Sequence, residues 1–269
     1  MRSRLWLIWS ACTITLSACN GTAMSSFDAY PISGEFAGLA VMSDGTVVVG
    51  HQPGLAAPAT LLRINLETAE ASPLDLDALV PCDSPDYLRP SRLPDGRLGA
   101  VAACPQSGDS VVVAIDITNG RDTEVLAELH SVPGEVTWSP SLDRAAAAFG
   151  SDICGSLAWI SAGELIPMEL TVEAGGRGFA LDEAFRNMSG GDCRDDGRAA
   201  WPSWSAADEL AFFASPASMG LEGFARLDAP WSLFIADPNG SSATAVIHDV
   251  VSPRGLSWSP EYSALFRVC

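Results

Sequence analysis

Lysine is absent from all 269 residues; the 15 basic side chains are arginines, set against 33 carboxylates for a formal charge of −18. So acidic a surface repels nucleic acid and anionic lipid headgroups, and a nucleic-acid partner is excluded. The missing lysine itself reads as coding bias rather than chemistry. Catalytic signatures are absent too: there is no GxSxG elbow, HExxH pair, Walker-type phosphate loop or dinucleotide-binding glycine fingerprint. No catalytic residue, metal ligand or cofactor is assigned. The longest early apolar run, residues 5–16, falls short of the roughly 20 residues that a bilayer span needs. Helical periodicity is also missing, except over residues 180–188 (ALDEAFRNM).

What is present argues for a folded, strand-rich body. Hydrophobic residues make up 48% of the chain and charged residues 18%, outside the range of disorder. The length suits one large or two small domains. With 24 glycines and 18 prolines, the chain is rich in turn formers, as many short strands require.

The N-terminus carries an address. Arg2 and Arg4 precede the apolar run, and Leu16-Ser17-Ala18-Cys19 closes it. A short positive region, a short apolar core and small residues describe a cleaved secretory signal. The last four residues resemble the lipobox of bacterial lipoproteins. That resemblance implies cleavage after residue 18, a diacylglycerol thioether on Cys19 and a body tethered outside the cytoplasm. An ordinary signal peptide containing a cysteine is the alternative. Acylation with two or three chains anchors stably, whereas one is marginal. Asn20 is not the aspartate that marks inner-membrane retention in lipoproteins of two-membrane bacteria. Residues 19–35 are small and polar enough for a spacer.

The remainder is repetitive. An apolar run, a tight turn and a second apolar run recur with equivalent positions at Val41, Arg92, Trp138, Trp204 and Trp258, spaced by 51, 46, 66 and 54 residues. Asp44-Gly45 and Asp95-Gly96 supply turns that need positive φ; Leu142, Asp208 and Tyr262 replace the glycine later, so the turn signal fades. Four copies are followed by a second hairpin, whose first strands are LLRINL (61–66), SVVVAID (110–116), SLAWIS (156–161) and WSLFIAD (231–237). These stretches, PSWSAADELAFFAS with WSLFIADPNG above all, resemble the TolB-type (WD-type) propeller repeat over residues 36–269. The resemblance implies an all-β fold, a β-propeller of four-stranded antiparallel blades, at about 36–76, 84–130, 134–170, 200–249 and, in part, 254–269. The tryptophans at the aligned position read as packing between blades.

The fifth copy ends after two strands, and an open half-blade exposes a pairing edge. Either the spacer supplies a strand, around residues 27–32, or the chain is a fragment of a longer protein, the reading we adopt. TolB-like propellers usually close with six blades.

In such a propeller, the loops entering a blade and those joining its second and third strands share one face. Cys82, Cys104, Cys154 and Cys193 all fall there, predicting the bridges Cys82–Cys104 and Cys154–Cys193, with Cys269 left over. An exported protein can form them; no CxxC spacing supports the rival thiolate metal site. The same face receives the long insertions 171–200 and 214–230, where a binding surface is expected. It also receives His51, His130 and His248, a conceivable metal or histidine site. Trp201 and Trp231 are its candidates for sugar or polyol binding. Asp192 to Gly197 departs from calcium-loop spacing and reads as a solvated loop.

The functional expectation is a lipid-anchored, extracytoplasmic, non-catalytic propeller that binds an envelope protein or a small ligand. The alternative is the propeller portion of a prolyl-oligopeptidase-like serine hydrolase, whose GxSxG segment would lie beyond residue 269.

Overall fold

The computed structural model describes residues 35–54, 57–66, 68, 70–76, 82, 84–117, 123–150, 155–189, 197–216, 230–237, 240–250, 255–258 and 265–268. The signal segment and nearly all of the spacer lie outside these.

Short, turn-bounded apolar runs form strands, and the strands form blades. Blade one is β1 (Glu35–Val41), β2 (Val47–Gln52), β3 (Thr60–Asn65) and β4 (Glu70–Pro73); blade two is β5 (Asp86–Arg92), β6 (Leu98–Ala103), β7 (Ser110–Ile115) and β8 (Thr123–Leu129). Blade three is β9 (Glu135–Trp138), β10 (Arg144–Gly150), β11 (Gly155–Ser161) and β12 (Glu164–Pro167). Between blades three and four come β13 (Thr171–Ala174), β14 (Arg177–Ala180) and α1 (Leu181–Ser189). Blade four is β15 (Arg198–Trp204), β16 (Leu210–Ser215), β17 (Trp231–Ala236) and β18 (Ala243–Val250); β19 (Gly255–Trp258) and β20 (Leu265–Val268) form a final two-stranded sheet. Each four-stranded sheet runs in chain order with antiparallel pairing. The first strands of successive blades, β1, β5, β9, β15 and β19, lie side by side along the inner edge. This is an all-β, propeller-type fold.

The core lies between blades rather than within one sheet. Val112, Ala114 and Leu129 of blade two meet Trp138, Ala145, Phe149 and Ile160 of blade three. Leu157 and Met168 of blade three meet Trp204, Phe212 and Phe234 of blade four. Middle strands such as β6, β7 and β16 are buried at every position because neighbours cover both faces. Alanines at 145–148 keep β10 thin enough to be covered on both sides.

The inner hairpins share one turn. Gly45 (φ +81°) and Gly96 (φ +90°) adopt the left-handed conformation, and so do Leu142 (φ +61°) and Asp208 (φ +63°) at the same position. The backbone bond that closes the turn is kept in each: Gly45 N–H donates to Met42 O, Gly96 to Leu93, Leu142 to Ser139 and Asp208 to Ser205. The fading glycine signal therefore changes the residue but not the turn.

The helix expected over residues 180–188 is found at Leu181–Ser189, whereas the residues before it, expected to be loop, fold as a hairpin. Gly175 and Gly176 both have positive φ, which suits a two-residue hairpin turn, and Val172, Ala174 and Phe179 are buried on one side. The helix carries Asp182 and Glu183 in its first turn and Arg186 in its last, matching the helix dipole. Residues 217–229 of the second insertion are outside the described residues.

Candidate functional site

The loop face, where each first strand begins, gathers an unusual set of side chains at the inner edge. Two of the inner strands are interrupted by proline. Pro90 in β5 and Pro202 in β15 have no N–H to donate, so pairing with the next strand slips: register shifts occur between Leu88 and Ser91 and between Ala200 and Ser203. The residue before each proline, Arg89 or Trp201, takes φ +53°. Such a conformation is costly for a side-chain-bearing residue and clusters at functional sites. Strand β1 has the same irregularity around Gly38 (φ +103°), where an added Cβ would lie 3.1 Å from the Arg89 Cα.

These positions correspond. Gly38, Arg89 and Trp201 each stand three residues before the aligned repeat position, at Val41, Arg92 and Trp204. In blade three the same offset from Trp138 falls on Glu135, in a strand paired regularly with β10. The repeat thus brings a guanidinium, a carboxyl and an indole to equivalent places on adjacent inner strands.

They interact. Burial pushes the Glu135 carboxyl from its ordinary 4.5 up to about 7, against the opposing pull of the Arg89 charge and of the Trp201 backbone N–H, which donates to it. Near neutrality this carboxyl can therefore donate or accept a hydrogen bond. Arg89 itself is exposed. The Trp201 ring lies 5.2 Å from that of Trp231 and meets Phe213 edge-on at 6.2 Å. The buried Arg198 guanidinium sits 4.4 Å from the Trp231 ring centre, within cation–π range. The assembly can bind a group that offers both polar atoms and an apolar face.

Of the residues picked out from sequence, Trp201 and Trp231 come together here, although Trp231 is buried at 6% exposure and Trp201 is the more accessible. Cys82 and Cys104 form a disulfide with Cα atoms 5.9 Å apart, tying the approach to β5 to the end of β6. Cys19, Cys154, Cys193 and Cys269 lie outside the described residues. The three histidines all sit toward the loop face, but in different settings: His51 is buried at the end of β2, His248 is exposed on β18, and His130 is fully exposed with Nδ1 3.1 Å from Asp109. That contact holds the Asp109 carboxyl below its usual range. Among the described residues no group of three or more His, Cys, Asp and Glu could hold a metal. Arg89 and Glu135 are new relative to the sequence reading; the signal that could have found them is the repeat column itself, three places before the aligned positions Arg92 and Trp138.

No protein-family model matches the chain, and no curated protein does. Solved structures do resemble it. A gluconolactonase of Xanthomonas campestris superposes with a TM-score of 0.52 at 13% identity, over 86% of this chain and 68% of that one. TolB of Acinetobacter baumannii gives 0.49 at 14% identity, over 84% and 46%. Hydrazine synthase of Kuenenia stuttgartiensis gives 0.47 at 16% identity, over 90% and 57%. The chain therefore spans 57% of the hydrazine synthase chain and 46% of the TolB chain. Identities this low speak to the fold alone. No helix among the described residues is long and apolar enough to cross a membrane.

Proposed function

We propose that the chain is a lipid-anchored, extracytoplasmic propeller that serves as a non-catalytic scaffold and binds an envelope protein or small ligand at the inner rim of its loop face. The observation that carries this reading is the coincidence of Arg89, Glu135 and Trp201 at one repeat position, two of them in a strained backbone conformation. These groups bind and orient: a guanidinium for an anionic or carbonyl group, a carboxyl that can donate or accept, and an indole for an apolar face. The Leu16-Ser17-Ala18-Cys19 sequence supports attachment to the membrane through Cys19, and the Cys82–Cys104 disulfide suits an oxidising compartment. The net charge of −18 opposes any nucleic-acid role.

Two measurements on the expressed full chain test it. Cys19→Ser should move the protein from the membrane to the soluble fraction and remove the acyl mass from its N-terminal peptide. Arg89→Ala should weaken capture of the ligand without changing the melting temperature. A Cys19→Ser protein that stays in the membrane fraction would sink the anchor.

A further inference from the structure

On the opposite, turn face, the seam between blades three and four departs from the repeat. Arg144, the first residue of β10, corresponds to Arg97, just before β6: each offers the carbonyl that closes its inner turn, to Ser139 N–H and Leu93 N–H respectively. Arg97 bonds within its own blade, to Asp95 and Glu124 at 2.6 Å each. Arg144 reaches across to Asp208 of blade four at 3.4 Å. Its guanidinium carbon also lies 5.0 Å from the Trp204 ring centre and 5.5 Å from that of Trp159. The two indoles are 5.9 Å apart. Gly240 (φ +66°) leaves room for this arrangement, since a Cβ there would stand 2.6 Å from Trp159 Cζ2.

The seam between blades two and three is an internal control. Trp138 takes the place of Trp204, but Leu142 stands where Asp208 does. Ala114, paired with Gly99, stands where Trp159, paired with Ala146, does. That seam is apolar, with Ala114 in the core and Leu142 packed against it. The seam between three and four instead holds two orphaned polar atoms. Trp204 is only 8% exposed, and neither its Nε1 nor the buried Oδ1 of Asp208 has a hydrogen-bond partner among the described residues. Burying an unpaired donor and an unpaired acceptor is unfavourable, and folds depart from local rules in this way where a ligand is served.

We infer that this seam is a second binding site, for a neutral saccharide. The indole N–H can only donate and the carboxylate only accept, so a ligand must present acceptors and donors together, as sugar hydroxyls do. Arg144 and Asp208 offset each other's charge, so no net charge is required of the ligand. The partly exposed Trp159 offers apolar surface to the C–H groups of a sugar ring. A peptide backbone also donates and accepts, but β10 and β11, which carry Arg144 and Trp159, are already paired on both sides.

Calorimetric titration of the full chain with N-acetylglucosamine and with maltose, followed in parallel by tryptophan fluorescence, tests the assignment. Saturable binding is expected. It should weaken about tenfold in Trp204→Phe, which keeps an aromatic ring but removes the indole N–H, corresponding to one lost hydrogen bond. A similar loss is expected in Asp208→Leu, which rebuilds the seam with blade-three chemistry and should hold or raise the melting temperature. Absence of saturable binding for both sugars overturns the proposal. So does sugar binding that both variants retain, or a peptide whose binding both variants abolish.

Discussion

Replacing Glu135 with glutamine probes the inner rim without disturbing its shape. The amide is nearly isosteric with the carboxyl, and its oxygen can still accept from the Trp201 backbone N–H. In the folded chain burial lifts the Glu135 pKa to about 7, whereas the unfolded chain keeps the ordinary 4.5. Between those values the native state holds a proton that the unfolded state has released, so the contribution of Glu135 to stability falls as pH rises. It is fully present below pH 4.5 and lost once the pH has passed through about 7. The gap corresponds to at most about 3 kcal/mol. Glutamine cannot ionise, so Glu135→Gln should match the parent protein at pH 4 and exceed it by up to that amount at pH 8. At roughly 2–4 °C per kcal/mol for a chain of this size, the melting temperatures should separate by about 6 to 12 °C. Asp44, Asp109, Asp143 and Asp237 have carboxyls held below their usual range by hydrogen bonds, chiefly from Thr46, His130, Ser141 and Ser241 respectively. Their stabilising contributions are lost in acid, in the opposite sense, but both proteins share them and they cancel in the difference. Thermal melts followed by circular dichroism from pH 4 to 9 measure that difference. Parallel profiles, or a gap that opens toward acid, would refute a buried, proton-retaining Glu135.

Three further outcomes are expected. Arg89→Gly should raise stability by about 1 kcal/mol in chemical denaturation, because glycine adopts φ +53° without strain as Gly38 does at the same repeat position, and ligand capture should fall. Gly240→Ala should lower stability by about 1–3 kcal/mol, since its Cβ would stand 2.6 Å from Trp159 Cζ2 at a positive φ. Removing the Cys82–Cys104 bridge with a double serine substitution should cost about 3 kcal/mol in the chain-entropy model for a sequence separation of 22 residues, read under non-reducing denaturation; non-reducing peptide maps of the parent will show whether Cys154 pairs with Cys193.

The strands were largely legible because each is a short apolar run ended by turn residues, and because blades repeat. WSLFIAD (231–237) predicts a strand that the structure places at Trp231–Ala236, and SVVVAID (110–116) one at Ser110–Ile115. The hairpin at 171–180 was not read, although Gly175-Gly176 between alternating apolar residues carries its turn chemistry. Site residues were harder. Trp201 and Trp231 attract attention as aromatics near loops, but Arg89 and Glu135 look like ordinary surface charges until proline-induced bulges and the shared register place them together. Asp208 was legible only as a weak turn residue. Its polar role depends on Arg144 crossing between blades, a contact spanning 64 residues that no local pattern reveals.

The claim on which the functional reading stands is that the inner rim of the loop face is where the protein meets its ligand. Photocrosslinking in intact envelopes tests it most directly, with p-benzoylphenylalanine placed at Leu39, exposed on β1 beside Gly38, and, as control, at the exposed turn residue Ser141. A discrete adduct from position 39, absent from position 141 and reduced by Glu135→Ala in the same chain, is the predicted result. Adducts of equal yield from both positions, or from 141 alone, would contradict it.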